Sequence, residues 1–134
     1  MFTLDPRLEN GSLLLADLPL CRLFFSNNAC WPWLILVPRR EGMVELTDIP
    51  FADKPQLYAE IEAVSLALKK ITGCQKVNIA AIGNIVRQLH IHIVARNEGD
   101  AAWPGPIWGS GHQSAYEGSN QQELAEKLKE ELGV

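Results

Sequence analysis

The sequence is short of basic charge, of paired cysteines and of long apolar runs, and each shortage removes a class of function. Twelve lysines and arginines stand against sixteen aspartates and glutamates, a net charge of −4, so no overall positive field draws the chain to DNA or RNA. The pairs Arg39–Arg40 and Lys69–Lys70 read as solvated surface, although Arg39, at the end of an apolar run, is also placed to face a phosphate. The longest apolar run, 31–38, contains two prolines and falls far short of the roughly 20 residues a membrane helix needs. Residues 1–11 include acidic side chains and no apolar stretch of signal-peptide length. Cys21, Cys30 and Cys74 form no Cys-x-x-Cys pair, and their odd number does not suggest a disulfide framework, so they read as small buried hydrophobes. These absences give the expectation of a reduced, cytoplasmic protein with neither a membrane nor a nucleic acid as partner.

What is present is the composition of a folded protein, 47% hydrophobic and 21% charged. Without repeats or linkers, residues 1–134 are expected to form one α+β domain. Residues 5–11 read as a loop or short helical turn, followed by strand-length apolar segments at 12–16, 20–26 and 33–37, with Pro19 in the first connection. A helix is predicted from about 50–53 to Gly73. Leu57, Ile61, Val64, Leu68 and Ile71 make its apolar stripe, Glu60 and Glu62 lie on other faces, and Lys69 and Lys70 sit in the last turn. Strands resume at 76–82 and 89–96. The 97–118 stretch, rich in Pro, Gly and Trp, reads as a long ordered loop. A last helix is predicted over about 120–132, opened by Ser119-x-x-Gln122 in the form of a capping box. Strands, then a helix, then strands favour a mainly antiparallel sheet with one long central helix and a C-terminal one.

Chemistry concentrates in Gln88-Leu89-His90-Ile91-His92-Ile93-Val94-Ala95-Arg96. Alternation puts Leu89, Ile91, Ile93 and Ala95 on one face of a strand and Gln88, His90, His92 and Arg96, with Val94, on the other. Two imidazoles on one face reach over the same patch. Such a pair can stand idle on an exposed sheet, can bind a metal, or can act on a phosphate. In the last case one neutral ring, its Nδ1–H on a carbonyl, offers Nε2 as nucleophile, and the second, protonated, neutralises developing charge. Gln88 adds an amide donor.

This segment resembles the signature of the histidine-triad (HIT) family, His-φ-His-φ-His-φ-φ with φ apolar. Gly83-Asn84-Ile85 stands where the family has Gly-Gln-Ser/Thr, and Trp33-Leu34-Ile35-Leu36-Val37-Pro38-Arg39 is similar to its earlier core strand. The likeness runs from about Leu20 to Arg96. It implies a HIT-like α+β fold, often a homodimer, that hydrolyses or transfers nucleotides at the α-phosphorus of dinucleoside polyphosphates or nucleoside phosphoramidates, without metal or cofactor. By position His90 becomes the nucleophile that forms a nucleotidyl-imidazole intermediate, and His92 the ring that binds and polarises the phosphate. Asn84 contacts the phosphate, and Asn27 or Asn28 holds the ribose.

Three positions depart from that pattern. Gln88 replaces the first histidine and cannot exchange a proton at neutral pH, Ile85 replaces a hydroxyl residue, and Trp33 replaces a histidine. They leave a second reading, a catalytically silent nucleotide-binding or partner-binding module. A third, a cupin-type metal-binding β-sandwich, rests on Gly83, His90, His92, Glu98 and Gly105, with His112 or a cysteine as further ligand. Trp103 and Trp108 follow the motif strand closely. Trp103 is the candidate for stacking on a nucleobase, with anchoring of the loop as the alternative for both. His112, in Gly111-His112-Gln113, reads as a surface residue.

Overall fold

The computed structural model describes residues 1–134. Five strands, β1 (Ser12–Asp17), β2 (Cys21–Ser26), β3 (Trp33–Pro38), β4 (Lys76–Ala80) and β5 (Ile91–Arg96), form one antiparallel sheet in the order β1-β2-β3-β5-β4. The helices are α1 (Pro6–Asn10), α2 (Lys54–Thr72) and α3 (Asn120–Leu132). A single antiparallel sheet backed by helices is the expected α+β class, and it excludes the β-sandwich on which the cupin reading depends.

Alternation along each strand decides what lies on either side. Leu23, Phe25, Leu34, Leu36, Ile91, Ile93 and Ala95 point into the main core, where they meet Leu57, Val64 and Leu68 of α2 and Ala125 and Leu128 of α3. Truncating one of these fully buried leucines to alanine costs about 2–5 kcal/mol. The opposite face is covered too. Phe24, Ile35 and Val37 pack with Leu8 of α1, and Val94 packs with Trp31 and Ile107. His92 and Arg96 therefore lie on a face that the N-terminal segment and the 97–118 loop close over.

α2 ends where predicted. Gly73 adopts φ +65°, the left-handed conformation that glycine enters without strain, and its N–H bonds the Lys69 carbonyl at 2.8 Å. Glu60, expected on a face away from the core, is instead buried, 4% exposed. Its carboxylate accepts the N–H groups of Leu20 and Cys21, both at 2.8 Å, closing the backbone donors at the start of β2. The predicted Ser119 capping box does not form. The Ser119 hydroxyl donates to Glu123 at 2.8 Å rather than capping a backbone N–H. Arg39 turns back to donate to the carbonyls of Leu18 and Pro19, bracing the β1–β2 turn rather than facing a ligand.

β5 begins two residues later than expected. Leu89 N–H leaves the sheet to bond the Met43 carbonyl at 2.9 Å, so Gln88, Leu89 and His90 form the approach to the strand. Gln88 consequently does not share a strand face with His92.

Candidate active site at the start of the fifth strand

The two histidines of the motif meet as their spacing suggests. Their ring centroids are 4.8 Å apart with planes at 74°, and each is almost enclosed, His90 at 6% and His92 at 7% exposure. Both nevertheless form part of the wall of a cleft of about 610 Å³, together with Asn28, Trp31, Trp33, Asn84, Trp108 and His112.

Hydrogen bonds fix the tautomer of each ring. His90 Nδ1 lies 2.7 Å from the Gln88 carbonyl. A carbonyl only accepts, so in the neutral ring the proton resides on Nδ1 and Nε2 keeps its lone pair. His92 is set the other way. Trp33 Nε1–H donates to its Nδ1 at 3.0 Å, and an indole only donates, so a neutral His92 carries its proton on Nε2. Burial, and after it the charge of His90, push His92 down from 6.5 to about 3. Desolvation and the neighbouring ring both oppose charge on His92, against the expectation of a protonated second ring. The pair offers one free lone pair and one neutral N–H donor side by side. Trp33, where the family pattern has a histidine, is the residue that makes His92 a donor.

The Gln88 side chain faces elsewhere. Its oxygen accepts the Asp5 N–H at 2.7 Å and its Nε2 donates to the Thr3 carbonyl at 2.8 Å, tying down the N-terminal segment. Gln88 serves His90 through its main chain.

Asn84 is exposed and borders both this cleft and an adjoining hollow of about 290 Å³ that also includes Glu45, Thr47, Arg87 and His90. Of the two candidate asparagines, Asn28 reaches the cleft, but its amide is committed. Oδ1 accepts the N–H groups of Cys30 and Ser114 at 3.0 and 3.3 Å, and Nδ2 donates to the His112 carbonyl at 3.1 Å. Asn27 lies in a neighbouring hollow, and its Oδ1 accepts from Gln121 Nε2 at 2.8 Å.

Trp103 is not part of the cleft wall. Its ring lies beside the Arg96 guanidinium, 5.6 Å from centroid to charge, so anchoring is its part. The indole at the cleft is Trp108, 5.4 Å from the His92 ring. Arg96, 1% exposed, holds the loop that carries both. It forms a two-pronged bond to Asp100 at 2.8 and 3.0 Å, and it donates to Asn78 Oδ1 at 2.9 Å and to the Gly105 carbonyl at 2.8 Å. A guanidinium supplies that fork with every proton placed. His112, expected at the surface, is exposed but on the rim of the cleft. Sequence reasoning did not make Trp33 or Arg96 site-building residues, while it placed Trp108 beside the motif strand and weighed His112 as a surface residue or metal ligand. The one available signal was that Arg96 shares the parity of His92.

Comparison with known proteins agrees with this architecture. The HIT domain model matches residues 7–99. Histidine triad proteins of Bradyrhizobium japonicum and Sinorhizobium meliloti are each 44% identical to the chain. The first covers 98% of both chains with a TM-score of 0.95. The second covers 97% of this chain and 96% of its own, with a TM-score of 0.93. A histidine triad protein of Marinobacter aquaeolei, 39% identical, covers 99% of this chain and 97% of its own with a TM-score of 0.93. No curated protein matches the chain at a significant level. With the domain model spanning more than half the sequence and these relatives alike from end to end, the chain belongs to the histidine-triad family.

Proposed function

We propose that the protein is a nucleotide hydrolase or nucleotidyl transferase in which His90 Nε2 attacks the α-phosphorus of a dinucleoside polyphosphate or nucleoside phosphoramidate. The observation that carries this reading is the opposed tautomers of the two rings: a lone pair on His90, held by the Gln88 carbonyl, beside an N–H on His92, held by the Trp33 indole. Attack forms an N–P bond and expels the leaving group with its electron pair. The His92 Nε2–H and the Asn84 amide are donors for the phosphoryl oxygens, and donors fixed before the reaction stabilise charge that grows during it. Water then breaks the N–P bond and releases the nucleotide. Nothing in this sequence calls for a metal or cofactor. The cleft's indole walls suit a nucleoside, with Trp108 rather than Trp103 at hand for stacking. Family membership supports nucleotides as the ligand class, and a cytoplasmic homodimer belongs to the same proposal.

Intact-protein mass spectrometry after mixing with activated nucleotides tests it. A nucleotidyl adduct mapping to His90 is expected, and His90→Ala should lose turnover by at least about a thousandfold. Label on another residue, or full turnover in His90→Ala, overturns the assignment. Tight nucleotide binding with no adduct and no turnover supports instead the silent binding module, which the replacement of a histidine by Gln88 and of a hydroxyl by Ile85 motivates.

A further inference from the structure

Histidine is scarce in this chain, three residues in 134, and all three border one cleft. His90 and His92 arrive on neighbouring positions of one segment. His112 arrives from a separate loop, and its place there is built. The Asn28 amide clasps that loop through His112 O and Ser114 N. Ala29 N–H bonds the Ser114 carbonyl at 2.7 Å, and Asn28 pairs with Ala115 in an isolated antiparallel bridge. Gly109 and Gly111, at φ +83° and +78°, turn the chain on the approach to His112. The backbone of His112 is thus pinned to the end of β2, while its ring is exposed and carries no bond to any protein group.

The surroundings leave that ring one distinctive capacity. The cleft wall contains no Asp, Glu, Lys, Arg or Tyr, and neither does the neighbouring hollow that His112 also borders. The groups that share the cleft or the hollow with it are Ser110, Gly111 and Gln113 of the loop; Ser26 of β2 with Asn27 and Asn28 after it; and His90 and His92. His90 Nε2 is the lone pair that attacks, and the proton of His92 sits on a ring kept neutral. Expulsion of an amine or an alkoxide needs a proton at the leaving atom, and the two groups that the family pattern offers for it are Gln88 and Ile85 here. The first is tied to the N-terminal segment and the second is a hydrocarbon.

We propose that His112 is the catalytic acid and base of this site, which rests on the reading of His90 as nucleophile. In the first step the His90 lone pair forms the N–P bond, the bond from phosphorus to the leaving nitrogen or oxygen breaks, and the leaving atom takes the proton of the His112 imidazolium. In the second, neutral His112 removes a proton from water as its oxygen bonds to phosphorus. The N–P electron pair returns to His90, and the proton gained restores the imidazolium. The net reaction is hydrolysis, with no other reactant.

The test is a leaving-group series on His112→Gln and His112→Ala: the n-propyl ester, the n-propyl amidate and the 4-nitrophenyl ester of adenosine 5′-monophosphate. An acid matters when the leaving atom is basic and hardly at all for nitrophenolate. Both variants should lose about a hundred- to a thousandfold in kcat/KM on the propyl substrates, within the usual range for a positioned acid, and less than about threefold on the nitrophenyl ester. Added imidazole should restore part of the loss in His112→Ala. The nitrophenyl ester should still leave an adduct on His90 in both variants. A uniform loss across the series assigns His112 to nucleoside binding and overturns the proposal, as does no loss at all. An unaltered chain that forms no adduct from any of the three overturns the His90 reading, and this one with it.

Discussion

Acid should weaken the fold through His92, and the size of the effect follows from its setting. Burial and the neighbouring His90 hold the folded ring at about 3 instead of 6.5, whereas in the unfolded chain it takes up a proton near its ordinary value. Above pH 6.5 both states are neutral and the contribution is fully present. As pH falls through that value, the unfolded chain gains a proton that the folded chain refuses. Stability then drops by about 1.4 kcal/mol per pH unit until the folded ring also protonates. Between pH 6.5 and about 4.5 His92 alone should remove roughly 2–3 kcal/mol, a large part of the typical 5–15 kcal/mol for a domain. Carboxylates interfere little in that interval, since their unfolded values lie near 4. Asp100, held low by the Arg96 guanidinium, and Asp5, lowered to about 2 by Arg7, lose their contributions mainly further down. Urea unfolding at stepped pH, followed by indole emission in the unaltered chain and in His92→Asn, reads the difference. The unaltered chain should lose 2–3 kcal/mol more than the variant over this interval. Parallel curves for the two chains would refute the burial argument.

Four substitutions at three positions examine the groups that hold the site and the sheet. Trp33→Phe removes the donor to His92 Nδ1, orphaning a buried acceptor at a cost of about 1–3 kcal/mol; nitrogen NMR of the imidazole should change from a single Nε2–H form to a mixture of tautomers. Arg96→Met strands Asp100 and the Gly105 carbonyl, and should cost about 3–5 kcal/mol while accelerating amide exchange in residues 97–108. Arg96→Lys should not rescue it, because an ammonium lacks the planar fork. Glu60→Gln leaves one of the Leu20 and Cys21 N–H groups facing an amide donor with no acceptor, an expected loss of about 1–3 kcal/mol, visible as a lower Tm.

The elements were legible where a local rule governs them. Period-two alternation located β5 and assigned Leu89, Ile91, Ile93 and Ala95 to the core, and the Leu57–Ile71 spacing together with Gly73 framed α2. What escaped depends on partners far away in sequence. Glu60 looked like a solvated helix residue because its partners, Leu20 and Cys21, lie about 40 positions earlier. Gln88 has the parity of a cleft residue but leaves the strand, because Leu89 bonds Met43. Trp33 read only as a missing histidine, since the indole bond to His92 spans 59 residues. Trp103 and Trp108 share one loop and one composition, yet the first lies beside Arg96 and the second beside His92, partners that local sequence does not reveal.

A cleft without a single lysine or arginine on its wall changes how an anion gets there. Apart from Arg87 in the adjoining hollow and the imidazolium proposed at His112, no cation gathers it from solution, and the chain's net −4 repels rather than steers. Arrival should be slow, and added salt should speed it by screening the repulsion. Beyond the His112 imidazolium, discrimination is left to neutral dipoles that act only after docking, so competing anions would have to match a shape.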